Sequence, residues 1–163
     1  MPNNAHFTIR GYLPSDHKEV VALNRYGLAA AGVPLDDDVY AGDLDDVAAT
    51  YLTGRATLLV GETGGIVVAM GALQPVDATT CEITRMRVAP TAQGRGYGKA
   101  ILLALEDRAR RFGYLEAVLL TGPNQHPAID LYRAASYTVT GTENHGQLLG
   151  IRMWKRLIVT TGK

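Results

Sequence analysis

The segment Val88-Ala-Pro-Thr-Ala-Gln93-Gly94-Arg95-Gly96-Tyr97-Gly98-Lys99-Ala-Ile-Leu102 is the most informative part of the chain. It begins in a β-branched run, passes through a turn with alternating glycines and ends in a sequence with helical apolar spacing. Glycine tolerates a positive φ and a close approach of backbone to ligand. The helix that follows has unpartnered N–H groups at its first turn and the positive end of its dipole. The segment therefore predicts an anion site, and phosphate is the common anion at such sites.

Two familiar phosphate-binding loops do not match this segment. A Walker loop requires G-x-x-x-x-G-K-[ST], but Gly98-Lys99 is followed by Ala100, and position 93 is Gln. The dinucleotide fingerprint requires G-x-G-x-x-G, whereas the spacing here is G-x-G-x-G. Both of these loop types are therefore excluded.

The pattern that does fit is [QR]-x-x-G-x-[GA], which is met by Gln93-Gly94-Arg95-Gly96-Tyr97-Gly98. This segment resembles the acyl-CoA loop of the GNAT superfamily of N-acetyltransferases. The flanking segments Met86–Pro90 and Lys99–Leu103 are also similar to that family. The resemblance implies an acetyl-CoA-dependent enzyme that transfers an acetyl group directly to a primary amine, without an acyl-enzyme.

Composition sets bounds on the class of protein. The 163 residues predict one domain, residues 1–163, with 47% hydrophobic and 20% charged residues. Sixteen basic residues balance sixteen acidic ones, so no overall field favours nucleic acid or an anionic membrane. No apolar run approaches the roughly 20 residues that span a bilayer. A lone Cys81 and an N-terminus without signal-peptide character favour the cytoplasm. The four histidines show no metal-ligand spacing, so we expect no metal.

Hydrophobic periodicity and turn residues predict the element order β α α β β β α β α β β. This order predicts an α/β (α+β) fold, with a mixed, mostly antiparallel central sheet flanked by helices and one parallel crossover through the glycine-loop helix. It is also the order of the GNAT fold. The predicted strands are 7–10, 56–62, 66–73, 81–88, 115–120, 137–142 and 148–155; the predicted helices open at Pro14-Ser15-Asp16 and near Asp43, and cover 97–112 and 127–135.

Three of these elements carry finer expectations. The apolar alternation of the strand from Cys81 to Val88 slips, which predicts a bulge near Thr84–Met86. In the glycine-loop helix, Glu106 and Asp107 are expected on the outer face, each four residues before an arginine. The strand 115–120 is expected to be buried. The short helix is expected to turn Ala128, Leu131 and Ala135 inward.

The resemblance also implies where acetyl-CoA binds. In the family, the strands before and after the glycine-loop helix splay apart, and the pantetheine arm lies between them. Met86 and Val88 would then contact the pantetheine by main chain, and Gln93 to Lys99 would hold the pyrophosphate. The side chains of Arg95 and Lys99 would add charge-assisted bonds to phosphate. The alternative for both cations is a solvated loop position.

The segment Gln125-His-Pro-Ala128-Ile-Asp-Leu-Tyr132 looks like the family's N-x-x-A-x-x-L-Y segment. The resemblance implies that the Tyr132 hydroxyl protonates the departing CoA thiolate; the alternative is a packed helix tyrosine. Gln125 stands where the family usually has Asn, and either amide can bond to backbone or cofactor. Ser136 stands where the family usually has Gly. If that site is left-handed, Ser costs about 1 kcal/mol there.

Few residues are candidates for the remaining catalytic roles, a base for the amine proton and a nucleophile. Glu82 stands where many family members place a glutamate that takes the amine proton, often through water; the alternative is an exposed edge-strand carboxylate or an ion pair with a nearby arginine. Cys81 is expected to be a small buried hydrophobe, because no His is placed to activate it as a nucleophile.

The acceptor itself is not identified by the sequence. The acidic run Asp36–Asp38, with His145 of the last hairpin, would make a mouth for a cationic amine, or else be a solvated loop. We expect a small-molecule amine. The alternatives are a protein N-terminus or lysine, or an acyl-CoA sensor without catalysis. Members of this family often form homodimers, and no interface is legible in the sequence.

Overall fold

The computed structural model describes residues 6–30, 44–123, 125–145 and 148–158. Within these ranges the helices and strands follow the predicted order. The strands are β1 Thr8–Gly11, β2 Thr57–Thr63, β3 Ile66–Pro75, β4 Thr80–Val88, β5 Glu116–Thr121, β6 Thr138–His145 and β7 Leu148–Arg156. The helices are α1 His17–Ala30, α2 Val47–Tyr51, α3 Tyr97–Arg111 and α4 His126–Ala134.

The strands form one seven-stranded sheet in the order β1-β2-β3-β4-β5-β7-β6. Every neighbouring pair is antiparallel except β4 and β5, which run parallel. A parallel pair needs a long crossover connection, and α3 supplies it. The predicted fold class, with its single parallel crossover, is confirmed.

Pairing between β4 and β5 is short. It joins Thr80–Ile83 to Glu116–Leu119, whereas β4 continues to Val88. The rest of β4 has no partner on that side among the described strands, so the sheet opens into a gap in its middle. The gap lies beside the N-terminus of α3, since the glycine loop begins directly after β4.

Different helices cover the two faces of the sheet. On one face, α3 buries Ile101, Leu102 and Leu105 completely against the strands. On the other face, the core is formed by α1 and α2 against β2 and β3, and includes Val20 and Tyr51. The sheet therefore separates two apolar cores, and the buried hydrophobic residues of β4 and β5 belong to the core on the α3 face.

The irregularity predicted in β4 is present. The register between β3 and β4 shifts opposite Gly71, between Met70 and Ala72, and Arg85 has a φ of +58°. A left-handed residue within a strand produces a bulge, which turns the following side chains relative to the preceding ones. The hairpin predicted at Gly64-Gly65 is also present, with φ values of +56° and +79° that suit a type I′ turn.

The predicted start of the second helix near Asp43 lies outside the described residues. Within them, α2 begins at Val47, where the Asp46 carboxylate caps it by accepting from Ala49 N at 3.0 Å. The burial expected for the fifth strand was wrong. The strand 115–120 is not buried throughout: burial alternates along β5, and Leu115 and Leu120 are exposed. Only one face of that strand meets α3, because alternate side chains point to opposite faces.

Glu106 was also wrongly predicted, because it is completely buried instead of lying on the outer face of α3. Its carboxylate accepts from Lys155 Nζ at 2.8 Å and from the Tyr137 hydroxyl at 2.9 Å. The predicted contact with Arg110 exists at 3.6 Å. The companion pair Asp107–Arg111 is exposed as predicted, at 3.2 Å.

The residues predicted to turn inward from the short helix, Ala128, Leu131 and Ala135, are partly buried and pack against the core. Ile129 and Tyr132 of α4 are more deeply buried than these three. The partly buried side of α4 faces the gap, so Ala128 and Leu131 line a cavity that is described below. No described helix has the length and apolarity needed to cross a membrane.

Ser136 adopts the left-handed conformation considered from the sequence, with a φ of +76° directly after α4. We expect Ser136→Gly to raise the free energy of unfolding by about 0.5–1 kcal/mol, because glycine removes the steric cost but adds entropy to the unfolded chain. Urea unfolding would measure the change. Ser15→Gly, in the 3₁₀ helix Pro14–Asp16 and outside the left-handed region, is the matched control and should lower stability. A lower unfolding midpoint for Ser136→Gly would contradict the expectation.

Candidate active site

A cavity of about 550 Å³ lies at the gap where β4 and β5 part. It extends from the glycine loop, past the end of β4, to α4 and the C-terminal half of α1. Its lining residues are Tyr26, Gly27, Ala30, Met86, Arg87, Val88, Ala92, Gln93, Gly94, Gly96, Tyr97, Gly98, Lys99, Gln125, Pro127, Ala128, Leu131 and Tyr132. Most of the residues predicted for cofactor binding are therefore brought together in one place.

The glycine loop forms one end of this cavity. Gly94 and Gly96 have φ values of +78° and +83°, and Gly96 caps α3 without a side-chain bond. A Cβ at either position would meet open space, so backbone conformation, not crowding, requires glycine there. Gly98 differs, because its φ is not positive and a Cβ would make ordinary contacts of 3.5 and 3.6 Å with Leu131 and Val88.

The two predicted loop cations are placed differently. Lys99 is exposed and lines the cavity, whereas Arg95 is exposed and does not line it. Gln93 holds the loop against the end of β4, since its Nε2 donates to the Val88 carbonyl at 3.3 Å. The Tyr97 ring stacks on Phe7, with centroids 4.0 Å apart and planes 8° apart, which fixes the start of α3 against β1.

The cavity wall includes the C-terminal end of β4. Met86 and Val88 both line it, and both follow the last residue of β4 that pairs with β5. Backbone groups of this part of β4 that point toward β5 therefore face the gap. A ligand with amide groups along an extended arm would find hydrogen-bonding partners there, as an added strand does.

Tyr132 is buried, with 6% of its surface exposed, and reaches the cavity from α4. Its ring makes an edge contact with Tyr137 at a centroid distance of 5.9 Å. Its hydroxyl has no hydrogen bond to another described residue. Burial raises the pKa of Tyr132 to about 12, and the positive charge of Arg87 opposes that rise. The hydroxyl is therefore protonated near neutral pH and able to donate to a group in the cavity.

Gln125 also lines the cavity, at the residue before α4. Its Oε1 accepts from Thr121 Oγ1 at 3.4 Å, which ties the start of α4 to the end of β5. The amide thus stands where a cofactor could contact it, in agreement with its predicted position.

Glu82 does not line the cavity. Its neighbours Cys81 and Ile83 are buried toward α3, so alternation turns Glu82 to the opposite face of the sheet. It is half-buried on a central strand, between Gln74 and Val118 in register, which excludes the edge-strand alternative. Among the residues described, none forms an ion pair or hydrogen bond with its carboxylate.

Cys81 is completely buried, and burial raises the pKa of its thiol to about 12. A thiol in this state is neutral and inaccessible, as expected of a small buried hydrophobe. The run Asp36–Asp38 and the His145 side chain lie outside what the structure describes. Within the described part of the chain, no group of three His, Cys, Asp or Glu could hold a metal ion.

Sequence reasoning missed the α1 side of the cavity. Tyr26, Gly27 and Ala30 line it, and the Arg87 side chain of β4 lies against Gly27. The available signal was Gly27, a glycine inside a predicted helix, because such a residue commonly marks close packing.

Comparisons with known proteins agree with this geometry. The model of the Acetyltransferase (GNAT) family matches residues 32–137, well over half of the chain. Among curated relatives, "N-acetyltransferase family 8 member 2" of Rattus norvegicus is 34% identical over 104 residues, which are 61% of this chain and 46% of that protein. The "IAA acetyltransferase" of Azospirillum brasilense is 35% identical over 112 residues, which are 64% of this chain and 73% of that protein.

Solved structures share the fold. An acetyltransferase of the GNAT family from Staphylococcus aureus Mu50 superimposes with a TM-score of 0.85 at 14% identity, over 94% of this chain and 100% of that one. A putative acetyltransferase from Salmonella typhimurium, determined with acetyl-CoA, gives 0.72 at 22% identity, over 96% of both chains. The aligned part of this chain spans about half the length of the rat and mouse relatives that it matches.

Proposed function

Because the chain belongs to the GNAT family of acetyltransferases, we propose that it transfers the acetyl group of acetyl-CoA directly to the primary amine of a small molecule. One observation supports this most strongly: the glycine loop, the end of β4 beyond its pairing with β5, and Tyr132 line a single cavity. Loop, main chain and tyrosine are the three parts that acetyl-CoA would need for its pyrophosphate, its pantetheine arm and its thioester.

In this proposal acetyl-CoA lies along the cavity. Its pyrophosphate binds the loop around Gly94 and Gly96, where the first N–H groups of α3 and the helix dipole favour an anion. The Lys99 ammonium adds a charge-assisted bond. The pantetheine arm follows the main chain of Met86 and Val88 toward Tyr132.

The acceptor must attack as a free amine, because an ammonium group has no lone pair. The amine nitrogen forms a bond to the thioester carbon, and the carbon–sulfur bond then breaks to release the CoA thiolate. We propose that Glu82 takes the amine proton, because it lies on β4 just before the gap. Since Glu82 does not line the cavity, the proton would reach its carboxylate through water. No acyl-enzyme forms, since the one cysteine is buried and neutral.

Tyr132 is proposed to donate a hydrogen bond to the departing thiolate. A thiol has an ordinary pKa near 8.5, well below the pKa of about 12 of this tyrosine. The proton therefore stays mainly on the tyrosine oxygen while the hydrogen bond stabilises the developing negative charge on sulfur. We also propose that the protein is located in the cytoplasm, which the free thiol of Cys81 supports.

The first experiment is thiol release from acetyl-CoA with a panel of amino acids, polyamines, aminoglycosides and short peptides at pH 7 and pH 9. Release with one class of small amine, rising with pH, is the expected result. Release only with peptides would favour a protein N-terminus or lysine as acceptor. Acetyl-CoA binding without release would favour a sensor, and no binding at all would contradict the assignment of the glycine loop.

A substitution at Gly98 is expected to change cofactor binding and folding stability in different ways. We expect Gly98→Ala to raise thermal stability slightly, by about 0.5 kcal/mol, because alanine is the better helix former and its Cβ fits. The same methyl projects into the cavity beside the proposed pyrophosphate position, so the KM for acetyl-CoA should rise about 10-fold. Gly113→Ala, outside the cavity with a φ of +90°, is the control and should destabilise without changing that KM. An unchanged KM in Gly98→Ala would argue against the proposed phosphate position.

A further inference from the structure

A turn at the end of α4 brings Tyr137 back against Tyr132. Ser136, with its φ of +76°, donates its N–H to the Arg133 carbonyl at 3.0 Å, and the Tyr137 N–H donates to the Tyr132 carbonyl at 2.9 Å. These two bonds define a Schellman motif, which commonly packs the residue after the turn against a residue of the last helical turn. The main chain therefore places the Tyr137 ring beside the Tyr132 ring, with centroids 5.9 Å apart and planes at 68°.

The hydroxyl end of Tyr137 is held in the core. Tyr137 is 2% exposed, and its hydroxyl donates to Glu106 Oε2 at 2.9 Å. The other oxygen of this carboxylate accepts from Lys155 Nζ at 2.8 Å, and the Lys155 ammonium lies 5.6 Å from the centroid of the Tyr137 ring. Burial and the charge of Glu106 raise the pKa of Tyr137, so its hydroxyl remains a donor. Because a hydrogen bond to a charged acceptor is strong and directional, it fixes the orientation of this ring.

Tyr132 has no comparable bond of its own. Its hydroxyl lies at the cavity wall and makes no hydrogen bond to another described residue. Since the hydroxyl is the atom farthest from the backbone, a tilt of the ring displaces it more than any other atom of the side chain. A misplacement of about 1 Å can cost about 100-fold in rate. The orientation of the Tyr132 hydroxyl therefore depends on the side chains that pack against its ring.

We propose that Tyr137 is a positioning residue for acetyl transfer: its ring, held by the bond to Glu106, orients the Tyr132 ring so that the Tyr132 hydroxyl reaches the departing sulfur. The inference rests on the role of Tyr132 proposed above and adds residues that do not line the cavity. Glu106 acts only through Tyr137. A buried ion pair such as Glu106 with Lys155 is often no more stabilising than apolar side chains of similar volume, so orienting a functional ring is a reason to retain it.

The test combines Tyr137→Phe with Tyr132→Phe in a double-mutant cycle, assayed with the most active amine of the panel described above. Tyr137→Phe keeps the ring and removes the bond to Glu106, and we expect kcat to fall about 5-fold while the KM for acetyl-CoA stays almost unchanged. In the Tyr132→Phe background the same change should have no further effect on kcat, because the hydroxyl that it positions is absent. The fold should be retained, since Lys155 and Arg110 still pair with Glu106.

Tyr114→Phe is the matched control. Tyr114 is completely buried in the same core, its hydroxyl donates to the Arg55 carbonyl at 2.7 Å, and it does not line the cavity. Its loss should lower the unfolding midpoint by an amount similar to that of Tyr137→Phe and leave kcat unchanged. The comparison separates positioning from a general loss of stability.

The outcomes distinguish this inference from the acetyl transfer on which it rests. An unchanged kcat in Tyr137→Phe, or a fall of the same size in the Tyr132→Phe background, would overturn the positioning role and leave acetyl transfer standing. If no amine gives thiol release, tyrosine labelled with carbon-13 at Cζ still decides in protein loaded with CoA. The Tyr132 signal, assigned by its loss in Tyr132→Phe, should be single in wild type and in Tyr114→Phe but broadened or split in Tyr137→Phe. A single sharp signal in Tyr137→Phe would overturn the proposal.

Discussion

Tyr132→Phe should lower kcat for acetyl transfer about 10- to 100-fold while leaving the Kd for CoA almost unchanged. The expected loss is that of one hydrogen bond to a charged group, about 1.5–3 kcal/mol. The ring stays in place because its edge contact with Tyr137 does not involve the hydroxyl. Since the pKa of Tyr132 is about 12, its hydroxyl stays protonated, and kcat should show no fall from this group between pH 7 and pH 10.

Tyr12→Phe provides the control for this measurement. Tyr12 contacts His17 through its hydroxyl at 3.1 Å and does not line the cavity, so removing the oxygen should leave turnover unchanged. Steady-state rates and calorimetric CoA binding, measured on both variants, separate chemistry from binding. Equal turnover in Tyr132→Phe and wild type would remove the tyrosine from the mechanism.

Lys155→Met should lower the free energy of unfolding by about 3 kcal/mol, although Lys155 does not line the cavity. Removing one partner of a buried ion pair leaves the other charge without compensation, which typically costs 3–5 kcal/mol. Glu106, the charge left behind, is completely buried. The lower end of the range is expected because Arg110 remains 3.6 Å from its carboxylate and the Tyr137 hydroxyl still donates to it.

Two further variants test the origin of this loss by urea unfolding. Asp107→Ala removes the neighbouring exposed pair with Arg111 and should cost less than about 0.5 kcal/mol. The double variant Lys155→Met with Glu106→Leu should recover most of the stability, because no charge is then left buried. A double variant as unstable as the sum of its single changes would show that packing, and not charge, holds this cluster.

The parts of the fold that could be predicted are those determined by residues close together in the sequence. Gly64-Gly65 marks a hairpin and the phase slip before Val88 marks the bulge, because turn chemistry and alternation act over a few residues. Glu106 was misplaced since its partners lie 31 and 49 residues further along the chain. In an amphipathic pattern a glutamate counts as a surface residue, and nothing local indicates a distant lysine.

The candidate site was predictable to a similar extent. The glycine loop, Gln125 and Tyr132 meet in one cavity because a crossover helix and a splayed strand pair bring them together, as the resemblance implied. The contribution of α1 could not be predicted, because Arg87 meets Gly27 only through the way that α1 crosses β4. Glu82 remains a prediction as the base, and the structure places it on the other side of its strand from Cys81 and Ile83.

The short pairing of β4 with β5 also bears on how this molecule holds together. Among the described residues, strand pairing joins the half-sheet of β1 to β4 to the half-sheet of β5, β7 and β6 through four residue pairs, Thr80–Ile83 with Glu116–Leu119. Along the rest of this seam the hydrogen-bonding edges of the two halves face each other without a strand between them. An extended ligand with amide groups would bridge the two halves there, with hydrogen bonds to one half and packing contacts with the other. A ligand bound along the seam would then add to what already joins the two halves, which is a shared core with Ile83 on one side and Leu119 and Met153 on the other.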